Sequence, residues 1–285
     1  MEWLICGTVP EECPCRLCRA AITAQGRQLS LENPEGSSRV SIARGSAALV
    51  AAYAVTADIL GIAPPFVLLA GDDGGGEGSR RVYRFLHEQR IPPVRGIIFH
   101  YFWPDVDWHS RLLPRLESLV PKPLLCADAG FMYAAKMSGY AASYDLFFPD
   151  AGELAFLADE KAPHPFYTRG FLLSEDNDAP ELAMRAYIHE NAPAGMLVKG
   201  GTDYVIQKGQ VAARVSLPSV PELEAIGGTG DTLAGIACAL LCAGRPMRDA
   251  LTRAALVNRR MGALARPTPA AGIADLLEFL PQALR

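Results

Sequence analysis

The sequence predicts an α/β protein built on a mainly parallel sheet. Short apolar runs recur along the chain, and segments with helical patterns lie between them. Several of these apolar runs end directly in Gly, Asp, Glu or Lys. In open α/β sheets, ligands bind in the crevice beyond the carboxyl ends of the strands. The pattern therefore indicates both a layered fold and the edge of the sheet on which a ligand site is expected.

The individual elements follow from local patterns. Strands are predicted where short apolar runs are bounded by turn-forming residues, at 1–6, 66–70, 96–100, 123–127, 145–148 and 196–198, and as a hairpin at 203–208 and 210–216. Helices are predicted at 44–60, 79–89, 108–119, 154–159, 232–243 and 247–265. The glycine-rich residues 71–78 predict a flexible loop over the substrate. A single domain over residues 1–285 is expected, with the role of residues 1–40 left open.

Composition narrows the class of protein. Half of the 285 residues are hydrophobic and a fifth are charged, which is ample for a large core. The net charge of −4 and the absence of a long basic run argue against a nucleic-acid partner. No apolar stretch reaches the roughly 18 residues of a membrane helix, and no leader pattern begins the chain. We therefore expect a cytoplasmic protein with a small-molecule substrate. A homo-oligomer is compatible with this composition.

Four of the seven cysteines crowd near the start of the chain, at Cys6, Cys13, Cys15 and Cys18. The spacing of Cys15 and Cys18 is that of a metal knuckle, so a zinc or iron–sulfur site is one alternative. Cys13 and Cys15 are closer together than metal ligands usually are, and disulfides are disfavoured in the cytoplasm. Free thiols are the favoured interpretation.

Residues 225–235 form the most informative segment of the chain, with four glycines and two threonines around Asp231. Glycines let the backbone approach a ligand and direct its N–H groups toward it. The helix that begins here adds the positive end of its dipole, so the loop is suited to an anion. An aspartate beside that anion is suited to proton transfer to or from a hydroxyl. The residues predicted to bind the phosphate are Gly227, Gly228, Thr229, Gly230 and Thr232.

This segment resembles the anion-hole motif of the ribokinase-like superfamily. Residues 228–235 read Gly-Thr-Gly-Asp-Thr-Leu-Ala-Gly, which is similar to the motif of the nucleotide-dependent NAD(P)H-hydrate dehydratases. The kinases of sugars and vitamins usually carry Gly-Ala-Gly-Asp at this place. The resemblance implies a three-layer α/β/α fold, ATP or ADP with Mg²⁺ as cofactors, and Asp231 as the catalytic base.

Three further segments match the same superfamily. Residues 149–153 resemble the Pro-His-x-Gly-Glu segment of the dehydratases, with Asp150 in place of the histidine. The resemblance implies that Glu153 holds the water shell of Mg²⁺, although Asp150 and Glu153 also fit a helix capping box. Lys199 and Gly200 follow a strand and are expected to reach the nucleotide phosphates. Asp128 resembles an aspartate of the dehydratases that faces the substrate. Six charged residues are expected along one sheet edge: Asp72, Asp128, Asp150, Glu153, Lys199 and Asp231.

One segment departs from the dehydratase pattern. Where that family carries a glycine-rich run, this chain has His100, Trp103 and His109 around Pro-Asp-Val-Asp. We expect no Ser-His-Asp arrangement, and we expect these histidines to be structural. The leading functional hypothesis is nucleotide-dependent dehydration of a hydrated nicotinamide cofactor. The alternatives are an ATP-dependent kinase of a sugar or vitamin alcohol and, third, a nucleotide sensor without catalysis.

Overall fold

A computed structural model describes residues 2–23, 26–164, 178–268 and 270–285. Within these ranges the chain forms one sheet of eleven strands with helices packed on it. The strands are β1 Glu2–Val9, β2 Arg16–Ile22, β3 Gln28–Asn33, β4 Gly36–Ser41, β5 Phe66–Gly71, β6 Val94–His100, β7 Leu124–Ala127, β8 Leu146–Phe147, β9 Gly195–Val198, β10 Asp203–Gln207 and β11 Gln210–Val215. The helices are α1 Gly45–Leu60, α2 Glu77–Glu88, α3 Val106–Glu117, α4 Gly130–Met137, α5 Ala151–Ala158, α6 Ala179–Ile188, α7 Thr229–Cys242, α8 Met247–Ala265, α9 Ile273–Leu277 and α10 Leu280–Leu284.

The middle of the sheet is parallel and its two sides are antiparallel. The strand order is β11-β10-β9-β8-β7-β6-β1-β5-β2-β3-β4, and the pairs from β9 through β5 run parallel. The hairpin of β10 and β11 extends one side, and the meander of β2, β3 and β4 extends the other. Because parallel strands share one direction, their carboxyl ends meet along a single edge of the sheet.

A separate apolar core covers each face of the sheet, which gives the three layers that the sequence predicts. Successive residues of β1 point to opposite faces, so Trp3 and Ile5 join one core whereas Leu4 and Cys6 join the other. Helices α1, α7 and α8 cover the first face, and α2 to α6 cover the second. Burial on both faces explains why the central strands are continuous apolar runs without alternation. No helix in the described ranges is long and apolar enough to cross a membrane.

The predicted elements are present, most of them with shifted ends. The sequence pattern did not predict helices α4, α6, α9 and α10, nor the three strands that residues 16–41 add. These strands alternate small, polar and apolar residues, so no apolar run marks them. All seven cysteines are free thiols, and the described residues contain no group of three or more His, Cys, Asp or Glu side chains placed to hold a metal. Burial raises the pKa of Cys13 to about 11 and that of Cys15 to about 12. These thiols are therefore protonated and unreactive at neutral pH.

Among the described helices, α1 and α7 share the most extensive contact. This contact brings the N-termini of both helices to the same edge of the sheet. Gly235 of α7 allows the contact, since a Cβ at this position would collide with the carbonyl oxygen of Leu49 and lie 3.1 Å from Cβ of Ala52. The backbones of the two helices therefore touch with no side chain between them.

We expect Gly235→Ala to lower the free energy of unfolding by roughly 1–3 kcal/mol, because the added methyl group overpacks this contact. Alanine is the better helix former by about 1 kcal/mol, so the expected sign is opposite to that of helix propensity. Urea denaturation followed by circular dichroism measures the change. Gly272→Ala, at the N-cap of α9, is a control for a methyl group added without a collision, since the nearest atom to its new Cβ lies at 3.6 Å. Equal or greater stability of Gly235→Ala would contradict the packing argument.

Candidate functional site

A cavity of about 650 Å³ opens at the carboxyl edge of the sheet. It brings together residues that lie far apart in the sequence and that follow four different strands or begin α7. The predicted residues that line it are Asp128, Asp150, Glu153, Lys199, Gly200, Gly227, Gly228, Thr229, Gly230 and Asp231. Asp72 does not line this cavity, because its carboxylate accepts hydrogen bonds from the backbone of Gly74, Gly76 and Ser79 at the start of α2.

The glycine-rich loop places the N-terminus of α7 at the floor of the cavity. The first intrahelical hydrogen bond runs from the Thr232 N–H to the Gly228 carbonyl, 2.9 Å apart, so the preceding amides of the helix have no helical partner. Gly228 has a φ of 102°, which a residue with a side chain rarely adopts, and a Cβ there would lie 3.1 Å from Ile273. The helix dipole adds positive potential at this point. The loop is therefore suited to bind an anion.

Thr232, which the sequence predicts as a further donor to the phosphate, lies inside the protein. Its side chain is fully buried, and its hydroxyl lies 2.9 Å from the carbonyl of Thr229 and 2.7 Å from Oδ1 of Asn258. The Asn258 amide donates to the same Thr229 carbonyl at 3.0 Å. In this arrangement the Thr232 hydroxyl holds the shape of the loop and does not face the cavity. Asn258 is a residue of the site that the sequence analysis missed.

Asp231 lies in the first turn of α7, and its carboxylate accepts two hydrogen bonds from other elements. The Gly45 N–H donates to Oδ2 at 2.6 Å, and Nε2 of His100 lies 3.0 Å from Oδ1. Burial raises the pKa of Asp231, but the hydrogen bond and charge of His100 and the charge of Lys199 outweigh it and hold the pKa below its ordinary value. Asp231 is therefore ionised at neutral pH, which a proton acceptor requires.

His100 is part of this site, although the sequence analysis expected a structural histidine and no Ser-His-Asp arrangement. Its Nδ1 lies 3.0 Å from Oγ of Ser46, so Ser46, His100 and Asp231 form a continuous hydrogen-bonded chain. Ser46 is 1% exposed and lies at the inner end of the chain, so it is not placed as a nucleophile. The available signal was the position of His100 as the last residue of β6, at the ligand-binding edge of the sheet.

Lys199 pairs with Asp128 across the cavity floor. The two groups are 2.8 Å apart between Nζ and Oδ1, and Nζ also lies 4.0 Å from Oε2 of Glu153. Burial lowers the pKa of Lys199, but the neighbouring Asp128 and Glu153 raise it by more, so the pKa lies above its ordinary value. The stem of Lys199 passes Gly230, where a Cβ would lie 3.1 Å from Cδ. Lys199 is therefore a fixed positive charge beside the glycine-rich loop of residues 227–230, which is called the anion loop below.

Asp150 and Glu153 form the capping box that their spacing predicts, and both also line the cavity. Oδ1 of Asp150 accepts from the Glu153 N–H at 2.8 Å, and Oε2 of Glu153 accepts from the Asp150 N–H at 2.8 Å. Burial raises the pKa of Glu153 to about 8, with Asp150 and Asp128 adding to the rise and Lys199 opposing it. Glu153 is therefore largely protonated at neutral pH unless a cation compensates for its charge.

Two arginines complete the walls, and the sequence analysis missed both. Arg259 of α8 donates to Oδ2 of Asp203 at 2.7 Å and to the carbonyls of Gly200 and Gly201 at 2.8 and 2.9 Å. It thereby holds the turn after Lys199 in place. Arg44 precedes α1 and lines the cavity, and its guanidinium donates to the hydroxyl of Tyr101 at 3.2 Å.

Solved structures of two enzymes share this fold at low sequence identity. The ADP/ATP-dependent NAD(P)H-hydrate dehydratase of Bacillus subtilis, co-crystallized with ATP and Mg²⁺, has a TM-score of 0.54 at 13% identity over 83% of this chain and 82% of that chain. Pyridoxal kinase of Entamoeba histolytica has a TM-score of 0.53 at 14% identity over 99% of this chain and 96% of that chain. These likenesses confirm the ribokinase-like three-layer fold that the sequence predicts.

Sequence comparison shows the family. An uncharacterized protein of Methanocaldococcus jannaschii is 38% identical over 219 residues, which make up 76% of this chain and 90% of that protein. A family model described as NAD(P)H-hydrate dehydratase matches residues 121–281, which include Asp128, Lys199 and the anion loop before Asp231. Since this match covers more than half of the chain, the protein belongs to the NAD(P)H-hydrate dehydratase family of ribokinase-like enzymes.

Proposed function

We propose that this protein is a nucleotide-dependent NAD(P)H-hydrate dehydratase that uses ATP or ADP with Mg²⁺ in the cavity at the carboxyl edge of the sheet. The observation that carries the proposal is the placement of Asp231. Its ionised carboxylate lies at the positive end of α7, next to unpaired helix amides on one side and near the Lys199 ammonium on the other. A proton acceptor beside a phosphate site is what transfer of a phosphoryl group to a hydroxyl requires.

The residues present fit a nucleotide phosphate and a divalent cation. The positive φ of Gly228 lets the loop turn into the start of α7, where Thr229 and Gly230 line the cavity with amides that have no helical partner. Lys199 supplies a fixed positive charge for phosphate oxygens. Glu153 and Asp150 supply the hard oxygen ligands that Mg²⁺ or its water shell prefers. When bound, Mg²⁺ would neutralise charge on the phosphates.

In the proposed reaction Asp231 would accept the proton of the ring hydroxyl as that oxygen takes the terminal phosphoryl group of the nucleotide, and the shortened nucleotide (ADP from ATP, or AMP from ADP) would leave. The amides of Thr229 and Gly230 stabilise the charge on the phosphate. The phosphate then leaves with the electrons of its carbon–oxygen bond, and the ring nitrogen supplies the electron pair that replaces them. Loss of a proton from the neighbouring carbon restores the double bond of the reduced nicotinamide.

A kinase of a sugar or vitamin alcohol is the second candidate, and specific observations favour it. Asp150 occupies the position of the histidine of the dehydratase motif, and residues 101–107 lack the glycine-rich run of that family. Instead Tyr101 lines the cavity together with Arg44. In this case Asp231 would act as the base for the first step alone, and the phosphorylated alcohol would be the product.

We expect Asp231→Asn to lower kcat by roughly 10²–10⁴-fold, because an amide cannot accept the hydroxyl proton. Nucleotide binding should remain nearly intact, since removal of a negative charge beside the phosphates does not weaken it. Steady-state kinetics and calorimetric titration with ATP measure the two effects. Asp58→Asn, on the exposed side of α1, is the control and should keep full turnover. An Asp231→Asn enzyme with more than about a tenth of the activity would remove Asp231 from the mechanism.

Glu153 should make stability depend on pH. Its folded pKa of about 8 lies above the ordinary value of about 4.3, so the folded protein binds this proton more tightly than the unfolded chain does. The contribution to stability is complete below about pH 4 and is lost as the pH rises to 8.

Glu153→Gln should flatten this decline in urea denaturation without Mg²⁺, and the exposed Glu278→Gln should not. Mg²⁺ binding to the native protein should tighten toward pH 8, since the carboxyl group must lose its proton. Equal pH dependence in both variants would refute this assignment.

The reaction itself is tested with hydrated NADH. We expect the absorbance of reduced nicotinamide to recover when the protein is supplied with this substrate, Mg²⁺ and ATP or ADP. Asp231→Asn serves as the control for non-enzymatic recovery. A kinase acting on a free alcohol leaves the hydrate untouched. Absent recovery together with ATP consumption on a sugar or a vitamin alcohol would assign the protein to the kinase branch.

A further inference from the structure

The chain of Ser46, His100 and Asp231 has a clear direction. The side chain of Asp231 is 10% exposed and faces the cavity, whereas His100 and Ser46 are 0% and 1% exposed. The three groups come from α1, β6 and α7, and each step of the chain is a 3.0 Å contact. The order is the reverse of a serine nucleophile site, because here the carboxylate lies at the reactive end. The serine and the histidine support the carboxylate from behind.

The hydrogen-bond partners assign a proton to Nε2 of His100. This nitrogen faces two carboxylates, Asp231 at 3.0 Å and Asp128 at 3.8 Å, and neither ionised group can donate. The Ser46 hydroxyl donates to the carbonyl of His100 at 3.2 Å, and its oxygen lies 3.0 Å from Nδ1 of the ring. Ser46 is therefore the hydrogen-bond partner of the ring nitrogen that faces away from Asp231.

A second observation indicates that the site is built around this imidazole. Oδ2 of Asp128 is a buried carboxylate oxygen without a hydrogen-bond partner, and the nearest donor to it among the pairs described is Nε2 of His100. Gly7 of β1 leaves the necessary space, since a Cβ there would collide with Oγ of Ser46 and the carbonyl of His100. The charged and titratable groups that face the Asp231–His100 pair from neighbouring elements are Asp128, Lys199, Arg44 and Tyr101.

We propose that His100 is a positioning residue for the reaction, which orients and stabilises the Asp231 carboxylate through Nε2–H while Ser46 holds the ring in place at Nδ1. The inference rests on the proposed role of Asp231 as the proton acceptor. Without His100, Asp231 keeps only the Gly45 N–H as a hydrogen-bond donor among the bonds described, and its carboxylate is free to rotate. Without Ser46, Nδ1 of the ring loses its hydrogen-bond partner.

The chain supplies its own matched control. His109 is also buried, at 1% exposure, and its Nδ1 also faces a serine hydroxyl, that of Ser138 at 2.8 Å. Its Nε2, however, lies 2.8 Å from the hydroxyl of Tyr144 rather than from a carboxylate, and this site is outside the cavity. Replacement of either histidine by alanine removes a buried imidazole of the same size. Only one of the two replacements removes a partner of Asp231.

The experiment compares His100→Ala, His100→Gln, Ser46→Ala and His109→Ala by pH-dependent kinetics. His100→Ala should lower kcat by roughly 10- to 100-fold, the loss that corresponds to one hydrogen bond to a charged group, with little change in KM for the nucleotide. The acidic limb of the kcat/KM profile should move to higher pH. His100→Gln, which retains an N–H donor, should recover much of kcat, and Ser46→Ala should show a smaller loss. His109→Ala should leave kcat and the profile unchanged even if its Tm falls.

Nitrogen NMR of the five histidine rings provides a readout that does not depend on turnover. In the wild-type protein, His100 should carry a proton on Nε2, and its ring signals should move in Asp231→Asn. A neutral ring with its only proton on Nδ1 would overturn the proposal. So would wild-type kcat and an unshifted profile in a folded His100→Ala protein when Asp231→Asn is inactive. High activity of Asp231→Asn would instead contradict the proposed function itself, so the two failures are distinguishable.

Discussion

The structure depends on how three carboxylates are kept stable at one buried edge of the sheet. Asp128, Glu153 and Asp231 are each less than a tenth exposed, and burial without partners would be prohibitive for three ionised groups. The Lys199 ammonium pairs with Asp128 and lies near Glu153. His100 and the helix amide of Gly45 stabilise the carboxylate of Asp231. Glu153 keeps its proton instead. The cluster thus combines an ionised base, a fixed cation and a neutral acid within one cavity.

This electrostatic arrangement sets the requirements on the scaffold. The parallel strands bring their carboxyl ends to one edge, where loops after β6, β7, β8 and β9 can each supply one polar group. Helices α1 and α7 pack with backbone contact at Gly235, so their N-termini meet above the same edge. One helix supplies the amide of Gly45 and the other the anion loop. The electrostatic stabilisation that the site can offer comes from dipoles and charges that the core holds in fixed positions.

The family relationship and the local departures from it bear on different parts of the cavity. The side proposed to bind phosphate, with the glycine-rich loop, Lys199 and Asp231, lies within the residues that the family model matches. The side proposed to bind substrate includes Asp150, where the resemblance implies a histidine, and residues 101–107, which lie outside the matched residues and contain no glycine. Nucleotide chemistry is therefore the better supported part of the proposed function. The identity of the hydroxylated substrate depends on the side at which this chain departs from its relatives.

The sequence by itself determined the elements that depend on local pattern, and tertiary structure decided the contacts between them. The apolar runs predict the central strands because strands buried on both faces need continuous apolar residues, and α8 lies at its predicted residues, Met247–Ala265. The anion loop could be predicted from the sequence because its glycines and Asp231 are adjacent in the chain. Strands β2 to β4 were not readable, since they lack apolar runs. The link from His100 to Asp231 joins residues 131 positions apart, and only the packing of β6 beside α7 brings the two side chains within hydrogen-bonding distance.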